Sequence, residues 1–226
     1  MYWIIFIGIS VLSWLVSNRL QSRFEEYSRI RLCNGMTGKE VAEKMLHDNG
    51  IYDVTVTCTP GNLTDHYNPT NKTVNLSETV YSECSVAAAA VAAHECGHAV
   101  QHARAYQPLQ IRSALVPVVS FASNILSWVL LGGMLLLNSF PQLMLLGIIL
   151  FASTTLFSLI TLPVEINASQ RALSWLSYSG ITDIRNHSQA EDALRSAAYT
   201  YVVATLGSLA NLLYYVMLFV NARERE

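Results

Sequence analysis

Charged residues are scarce in this sequence. Only 13% of its 226 residues are Asp, Glu, Lys or Arg, whereas soluble domains carry about a quarter. Hydrophobic residues make up 52% of the chain, and the mean hydropathy is +0.32. This balance excludes an ordinary soluble domain and predicts a protein whose partner is the lipid bilayer. The formal net charge of -2 leaves no basic excess, so we expect no nucleic-acid partner.

Paired cysteine motifs and an N-terminal basic segment are also missing. The four cysteines include no Cys-x-x-Cys pair, which favours free thiols in a reducing compartment over a disulfide framework. No basic residue precedes the first apolar run, residues 1–17, and Arg19 follows it. A secretory signal peptide would need a basic start and a small-residue cleavage site. We therefore predict an uncleaved transmembrane anchor at 1–17.

Three further apolar stretches are long enough to cross a bilayer. Residues 114–137 and 143–162, joined by a short turn at 138–142, are typical of a transmembrane hairpin, and residues 197–220 form a last span. With the anchor, this makes about four transmembrane helices. Four spans place the polar segments 18–113 and 163–196 on one side of the membrane. All but two of the fourteen Lys and Arg residues lie in these two segments. The positive-inside rule therefore predicts that both segments are cytoplasmic and that both termini of the chain are external.

One motif in the polar part carries recognisable chemistry. His94 and His98 are four residues apart, so on a helix they project from the same face and can bind one zinc ion. Glu95 is one step round the helix, where it can deprotonate a zinc-bound water, and Gly97 leaves room beside the metal. Residues 86–93 are small and apolar, which predicts a buried helix. A chance match is the alternative, but burying such a cluster without a metal is costly.

Two other residues near the motif are potential ligands. His102 is eight residues from His94, about 12 Å along a straight helix, which is too far to share the ion. No glycine turn precedes it, as the three-histidine pattern would require. We predict that His102 is a surface histidine or one that contacts a metal ligand without binding the metal itself. Cys96 is not spaced to join the two histidines, so we expect it to pack in the core.

The third ligand is predicted from the second polar segment. Glu165 lies in an apolar setting, whereas Asp183, Glu191 and Asp192 belong to a charged loop typical of a solvated face. Pro163 fits the first turn of a helix, so we place Glu165 near a helix start. Stabilisation by the helix N-terminus is the alternative reason for an isolated carboxylate there. That effect is worth only about 1 kcal/mol, which favours a metal ligand.

Local signals outline the polar part of the fold. Capping boxes begin helices at Thr37 and Ser188, and residues 21–32 are typical of an amphipathic helix at the membrane surface. Alternation at 52–57 and a short run at 73–76 predict strands. The predicted fold is therefore a mainly α-helical membrane protein with about four spans and a small α+β region containing a minor sheet.

The chain resembles the YugP-like family of neutral zinc metallopeptidases of bacterial membranes. The resemblance follows the family's order through five blocks: residues 64–69, 74–77, 85–101, 162–172 and 197–204. It implies a membrane-anchored zinc endopeptidase of the gluzincin type, acting on protein or peptide substrates, with kinship to HtpX and the CAAX prenyl proteases. Its ligands for Zn²⁺ would be His94, His98 and Glu165, and its general base would be Glu95.

Two departures from the family pattern remove negative charge. Asn167 stands where the family tends to carry an acidic residue two positions after the ligand glutamate, and Asn68 stands where an aspartate follows the His-Tyr pair. If either acid orients a ligand histidine, its loss would lower metal affinity about 10–100-fold. The three expected ligands and the base are intact, so the resemblance still implies an active enzyme.

Peptide hydrolysis also needs a donor for the developing negative charge. The sequence offers five: His66, Tyr67, His187, Tyr199 and Tyr201. We select His66 and Tyr67, which we place in a loop before the strand that precedes the zinc helix. The alternative is a turn held by the side chains of Asp65 and Asn68. His187 is typical of a loop surface, and the other two tyrosines are typical of an aromatic belt.

The predicted organisation divides the enzyme around its spans, with an anchor at 1–17, catalytic regions at 18–113 and 163–196, a hairpin at 114–162, a last span at 197–220 and a tail at 221–226. An intramembrane protease is disfavoured because the apolar run 86–93 is too short to span. The other rival is a non-catalytic membrane scaffold or transporter with a structural zinc site. Such a site needs a fourth protein ligand, and Cys84 and Cys96 are the candidates.

Overall fold

A computed structural model describes residues 2–223 of the chain, with side chains from Phe6 onward. The described residues form seven helices and three strands: α1 (Tyr2–Ser28), α2 (Gly38–Asp48), β1 (Thr55–Thr59), β2 (His66–Asn68), β3 (Thr73–Ser77), α3 (Glu78–Ser82), α4 (Val86–Ala103), α5 (Gln107–Leu135), α6 (Pro141–Tyr178) and α7 (His187–Arg223). The predicted mainly α-helical fold with a minor sheet is confirmed.

Among the described residues, three helices are long and apolar enough to cross a membrane: α5, α6 and α7. They contain the predicted stretches 143–162 and 197–220 and most of 114–137, since α5 ends at Leu135. They expose large apolar side chains such as Trp128, which is 76% accessible. Lipid satisfies such a surface, whereas water does not. The predicted anchor begins α1, but Met1 and the side chains of residues 2–5 lie outside the described residues. So do residues 224–226 of the predicted tail, and the fourth span stays a prediction.

The chain divides into two compact units. One, the apolar unit, comprises the described residues up to Trp14 together with 110–163 and 200–223. The other, the polar unit, comprises residues 15–109 and 164–199. Within the apolar unit, a Cβ on Gly133 would lie 2.7 Å from the Cα of Met144, so glycine allows α5 and α6 to pack at backbone distance.

The core of the polar unit lies between α2 and α4. Thr37 forms the predicted capping box with Glu40 at the start of α2, and the hydroxyl of Ser85 accepts the Ala88 N–H, 3.1 Å, at the start of α4. Apolar side chains of both helices are fully buried, among them Val41 and Val86. Alanines occupy much of the first half of α4, and their small size allows close neighbours on every side.

The sheet has the order β1-β3-β2, with β1 parallel and β2 antiparallel to β3. The predicted strands at 52–57 and 73–76 are present as β1 and β3, although β1 begins later, at Thr55. The loop predicted around His66 and Tyr67 is wrong, because these residues form β2. Pairing with β3, which follows after the short turn at 69–72, satisfies their backbone groups.

Helix α6 contradicts the prediction that a new helix begins at Pro163. The helix continues through this proline to Tyr178, which places Glu165 in its interior. Proline is tolerated inside membrane helices where neighbouring groups satisfy the freed backbone atoms. The helix N-terminus is therefore excluded as the reason for the Glu165 carboxylate. Two smaller predictions also change: residues 21–28 continue α1, and α7 begins at His187, one residue before the Ser188 cap.

Candidate metal centre

The two motif histidines and Glu165 converge inside the polar unit. Helix α4 places the His94 and His98 rings side by side, with their centroids 4.9 Å apart. Helix α6 directs Glu165 at both: its Oε2 lies 3.3 Å from Nε2 of His94 and 3.5 Å from Nε2 of His98. The carboxylate is almost fully buried, at 3% exposure. The three ligand atoms lie within 4.8 Å of one another and could hold a metal ion.

The distances from Glu165 to the two histidines are long for hydrogen bonds and close to those between two ligands of one zinc ion. A charge-assisted hydrogen bond between imidazole and carboxylate is about 2.7–2.9 Å long. Two ligands held about 2.1 Å from a tetrahedral zinc are about 3.4 Å apart, close to the observed 3.3 and 3.5 Å. Two imidazole nitrogens and one carboxylate oxygen form a donor set of catalytic zinc sites, which leave the fourth position open.

Close packing of α4 on α6 sets this spacing. A Cβ on Gly97 would lie 2.6 Å from the carbonyl oxygen of Ala168, nearer than real contacts allow. We expected the space at Gly97 to lie beside the metal, and the structure corrects this: the α6 backbone fills it. Glycine is needed there because the two helices meet backbone to backbone one turn from Glu165.

The pKa of the His98 imidazole reflects the charges around it. Burial lowers the pKa of its imidazole, but the hydrogen bond with Glu165 and the negative charges of Glu95 and Glu165 outweigh burial and raise that pKa. A proton therefore competes with a metal ion for this nitrogen. Glu95 is itself buried, at 8% exposure, directly beside His94 on α4.

The sequence analysis did not identify the residues that contact the Nδ1 atoms of the two histidines. The Ser169 hydroxyl lies 3.1 Å from Nδ1 of His94, and Oε1 of Gln101 lies 3.1 Å from Nδ1 of His98. Both follow a cluster residue at helical spacing, since Ser169 is four residues after Glu165 and Gln101 is three after His98. That spacing is the signal that could have identified them.

The oxyanion candidates fall into different surroundings. The Tyr67 hydroxyl lies 2.8 Å from Nδ1 of His102, which is exposed on the turn of α4 after His98. His66 is exposed, and its Nδ1 lies 2.8 Å from the carbonyl oxygen of Thr64. Of the other donors, His187 is half-buried at the start of α7, whereas Tyr199 and Tyr201 are exposed on that helix.

The acceptors of the alternative turn are also present. Asp65 accepts the Ser77 N–H, 2.7 Å, and Asn68 accepts the N–H groups of Thr70 and Asn71, at 2.9 and 3.4 Å. Asn68 thus holds a local turn. His66 and Tyr67 lie between these two residues.

No fourth protein ligand joins the cluster in the part of the chain that the structure describes. Cys96 is fully buried, with its Sγ 3.5 Å from the carbonyl oxygen of Ala42, and burial raises the pKa of its thiol. This is the packing position expected for it. Asp192 contacts Arg23 and Tyr27 instead. Three ligands and an open position favour a catalytic over a structural metal site.

A family model described as "Putative neutral zinc metallopeptidase" matches residues 2–220. The chain belongs to this family. It is also 46% identical over 224 residues to the "Putative membrane protease YugP" of Bacillus subtilis (strain 168), covering 98% of this chain and 99% of the relative. The comparison with solved structures finds no match. The resemblance seen in the sequence is confirmed. Zinc is the cofactor of this family, and the cluster of His94, His98 and Glu165 is a possible site for it.

Proposed function

We propose that the chain is a membrane-anchored zinc endopeptidase that hydrolyses peptide bonds of protein substrates near the membrane surface. The observation that carries the proposal is the cluster of His94, His98 and Glu165, whose three ligand atoms lie within 4.8 Å of one another and could hold one metal ion. Support comes from the membership of the zinc metallopeptidase family and from the three helices able to span a bilayer.

In this proposal the metal ligands and the general base are different residues. Zinc, when bound, supplies a Lewis acid that polarises the substrate carbonyl and acidifies water. His94, His98 and Glu165 hold it, and the Glu95 carboxylate takes the proton of the attacking water and passes it to the leaving amine. The position of Glu95, buried on α4 directly beside His94, supports this role.

We propose Tyr67 and His66 as the groups that stabilise the oxyanion. Tyr67 is the better supported of the two, because its hydroxyl bonds to His102 on the helix that carries the motif. Adjacent residues of a strand point to opposite faces, so the support for His66 is its exposed ring, which a substrate can reach.

Zinc content tests the proposed site directly. Detergent-purified protein should contain about one zinc per chain by elemental analysis, and the His94→Ala variant should contain almost none, as expected for one three-ligand centre. His102→Ala is the matched control, since it removes an exposed histidine from the same helix, and it should keep its zinc. A wild-type protein without zinc would favour the alternative of a non-catalytic membrane scaffold or transporter.

We further propose a multi-pass protein of the bacterial cell membrane with four spans and the polar segments 18–113 and 163–196 on the cytoplasmic side. The chain carries its own reporters, because Cys33 and Cys58 are exposed free thiols in the first segment. A membrane-impermeant maleimide should leave both unlabelled in intact cells and should label them after the membrane is opened. Labelling in intact cells would contradict the proposed orientation.

A further inference from the structure

Gln101 is a fully buried amide whose two ends are both bonded. It lies on α4, three residues after His98, with 0% exposure. Its Oε1 is 3.1 Å from Nδ1 of His98, and its Nε2 donates to the carbonyl oxygen of Val164, 2.8 Å, and to Oδ1 of Asn167, 3.0 Å. An amide so far from water persists only where its hydrogen bonds are satisfied.

The partners of Gln101 determine which way its amide points. The Val164 carbonyl can only accept, so Nε2 must face it and Oε1 must face His98. The arginine Nε of Arg171 can only donate, and it lies 2.7 Å from Oδ1 of Asn167, which therefore also accepts from Gln101. Every donor in this chain of bonds meets an acceptor.

The proton on His98 follows from this arrangement. Because Oε1 of Gln101 can only accept, Nδ1 of His98 must carry a hydrogen. In the neutral ring Nε2 then holds the lone pair, and Nε2 is the atom that faces Glu165 at 3.5 Å. His94 differs, because the Ser169 hydroxyl beside its Nδ1 can donate or accept.

We propose that Gln101 is a positioning residue that selects the Nδ1–H tautomer of His98 and, through Val164 and Asn167, holds α4 against the helix that carries Glu165. The inference rests on the proposed function, since His98 and Glu165 are its metal ligands. The proposal also explains how an asparagine can stand at position 167, where the family tends to carry an acidic residue. Asn167 acts on His98 through Gln101, and its Oδ1 supplies the two acceptor contacts that an aspartate would supply, so Asn167→Asp should keep the zinc affinity.

Gln101→Met tests the proposal, because methionine has a similar length and forms none of these hydrogen bonds. Zinc affinity measured by chelator competition should fall about 10–100-fold, the usual effect of removing a partner behind a ligand histidine. The matched control is Val100→Ala, which removes buried volume from the adjacent position and no polar contact. It should keep the affinity. An unchanged affinity in Gln101→Met would overturn the proposal.

A second measurement needs no variant and no zinc. In zinc-free wild-type protein the ¹⁵N shifts of His98 should report a protonated Nδ1, because the Oε1 of Gln101 beside it can only accept. The opposite tautomer would overturn the proposal even if Gln101→Met failed to fold. A wild-type protein that lacks zinc but shows this tautomer would refute the proposed function and leave the role of Gln101 in the His98 tautomer intact.

Discussion

Replacing Glu95 by glutamine should abolish peptide hydrolysis and leave the zinc content unchanged. Glutamine keeps the shape of the side chain and cannot accept a proton, so the loss should reach at least about 10²–10⁴-fold, the contribution of a general base. Zinc should remain because the three atoms that face one another belong to His94, His98 and Glu165. The measurement is cleavage of a membrane-protein substrate by protein whose zinc content has been checked.

Glu191→Gln is the matched control for this experiment. Glu191 is a carboxylate on α7 that pairs with Arg195 on the same helix, and its loss should leave hydrolysis near the wild-type rate. Full activity in Glu95→Gln would contradict the assignment of the base. Loss of zinc in that variant would mean that Glu95 supports the metal site itself. That result would favour the alternative of a non-catalytic membrane scaffold or transporter.

The Glu165→Ala variant should lose its zinc altogether, not only turn over more slowly. The substitution removes the carboxylate that faces both ring nitrogens, and two histidines alone do not make the three-ligand set of a catalytic site. Elemental analysis of the purified variant measures this, with circular dichroism to show that the helices remain.

Asp183→Ala provides the comparison within the same polar segment. Asp183 accepts the N–H groups of Arg185 and Asn186, at 2.8 and 2.9 Å, so its carboxylate has a local role. This variant should retain about one zinc per chain. Near-stoichiometric zinc in Glu165→Ala would remove Glu165 from the proposed ligand set and would require another third ligand.

Much of the predicted site depended on local spacing. Four residues separate His94 from His98, and any α-helix brings such residues to one face, so their proximity needs no knowledge of the rest of the fold. The small apolar residues before them indicated a buried helix, and α4 is buried over most of its length. The choice of Glu165 came from its apolar setting, and the structure brings that carboxylate to the histidines, although the helix start expected there is absent.

What the sequence determined by itself was therefore periodic or compositional: three long apolar helices, the capping box at Thr37, the helix of the motif and the scarcity of charge. Only the tertiary structure decided which atoms meet. It placed the Ala168 backbone in the space at Gly97, paired β2 with β3, and set Gln101 between His98 and Asn167. The contacts of Gly97 with Ala168 and of Gln101 with Asn167 join residues far apart in the chain, and their geometry depends on how two buried helices pack, which no local pattern encodes.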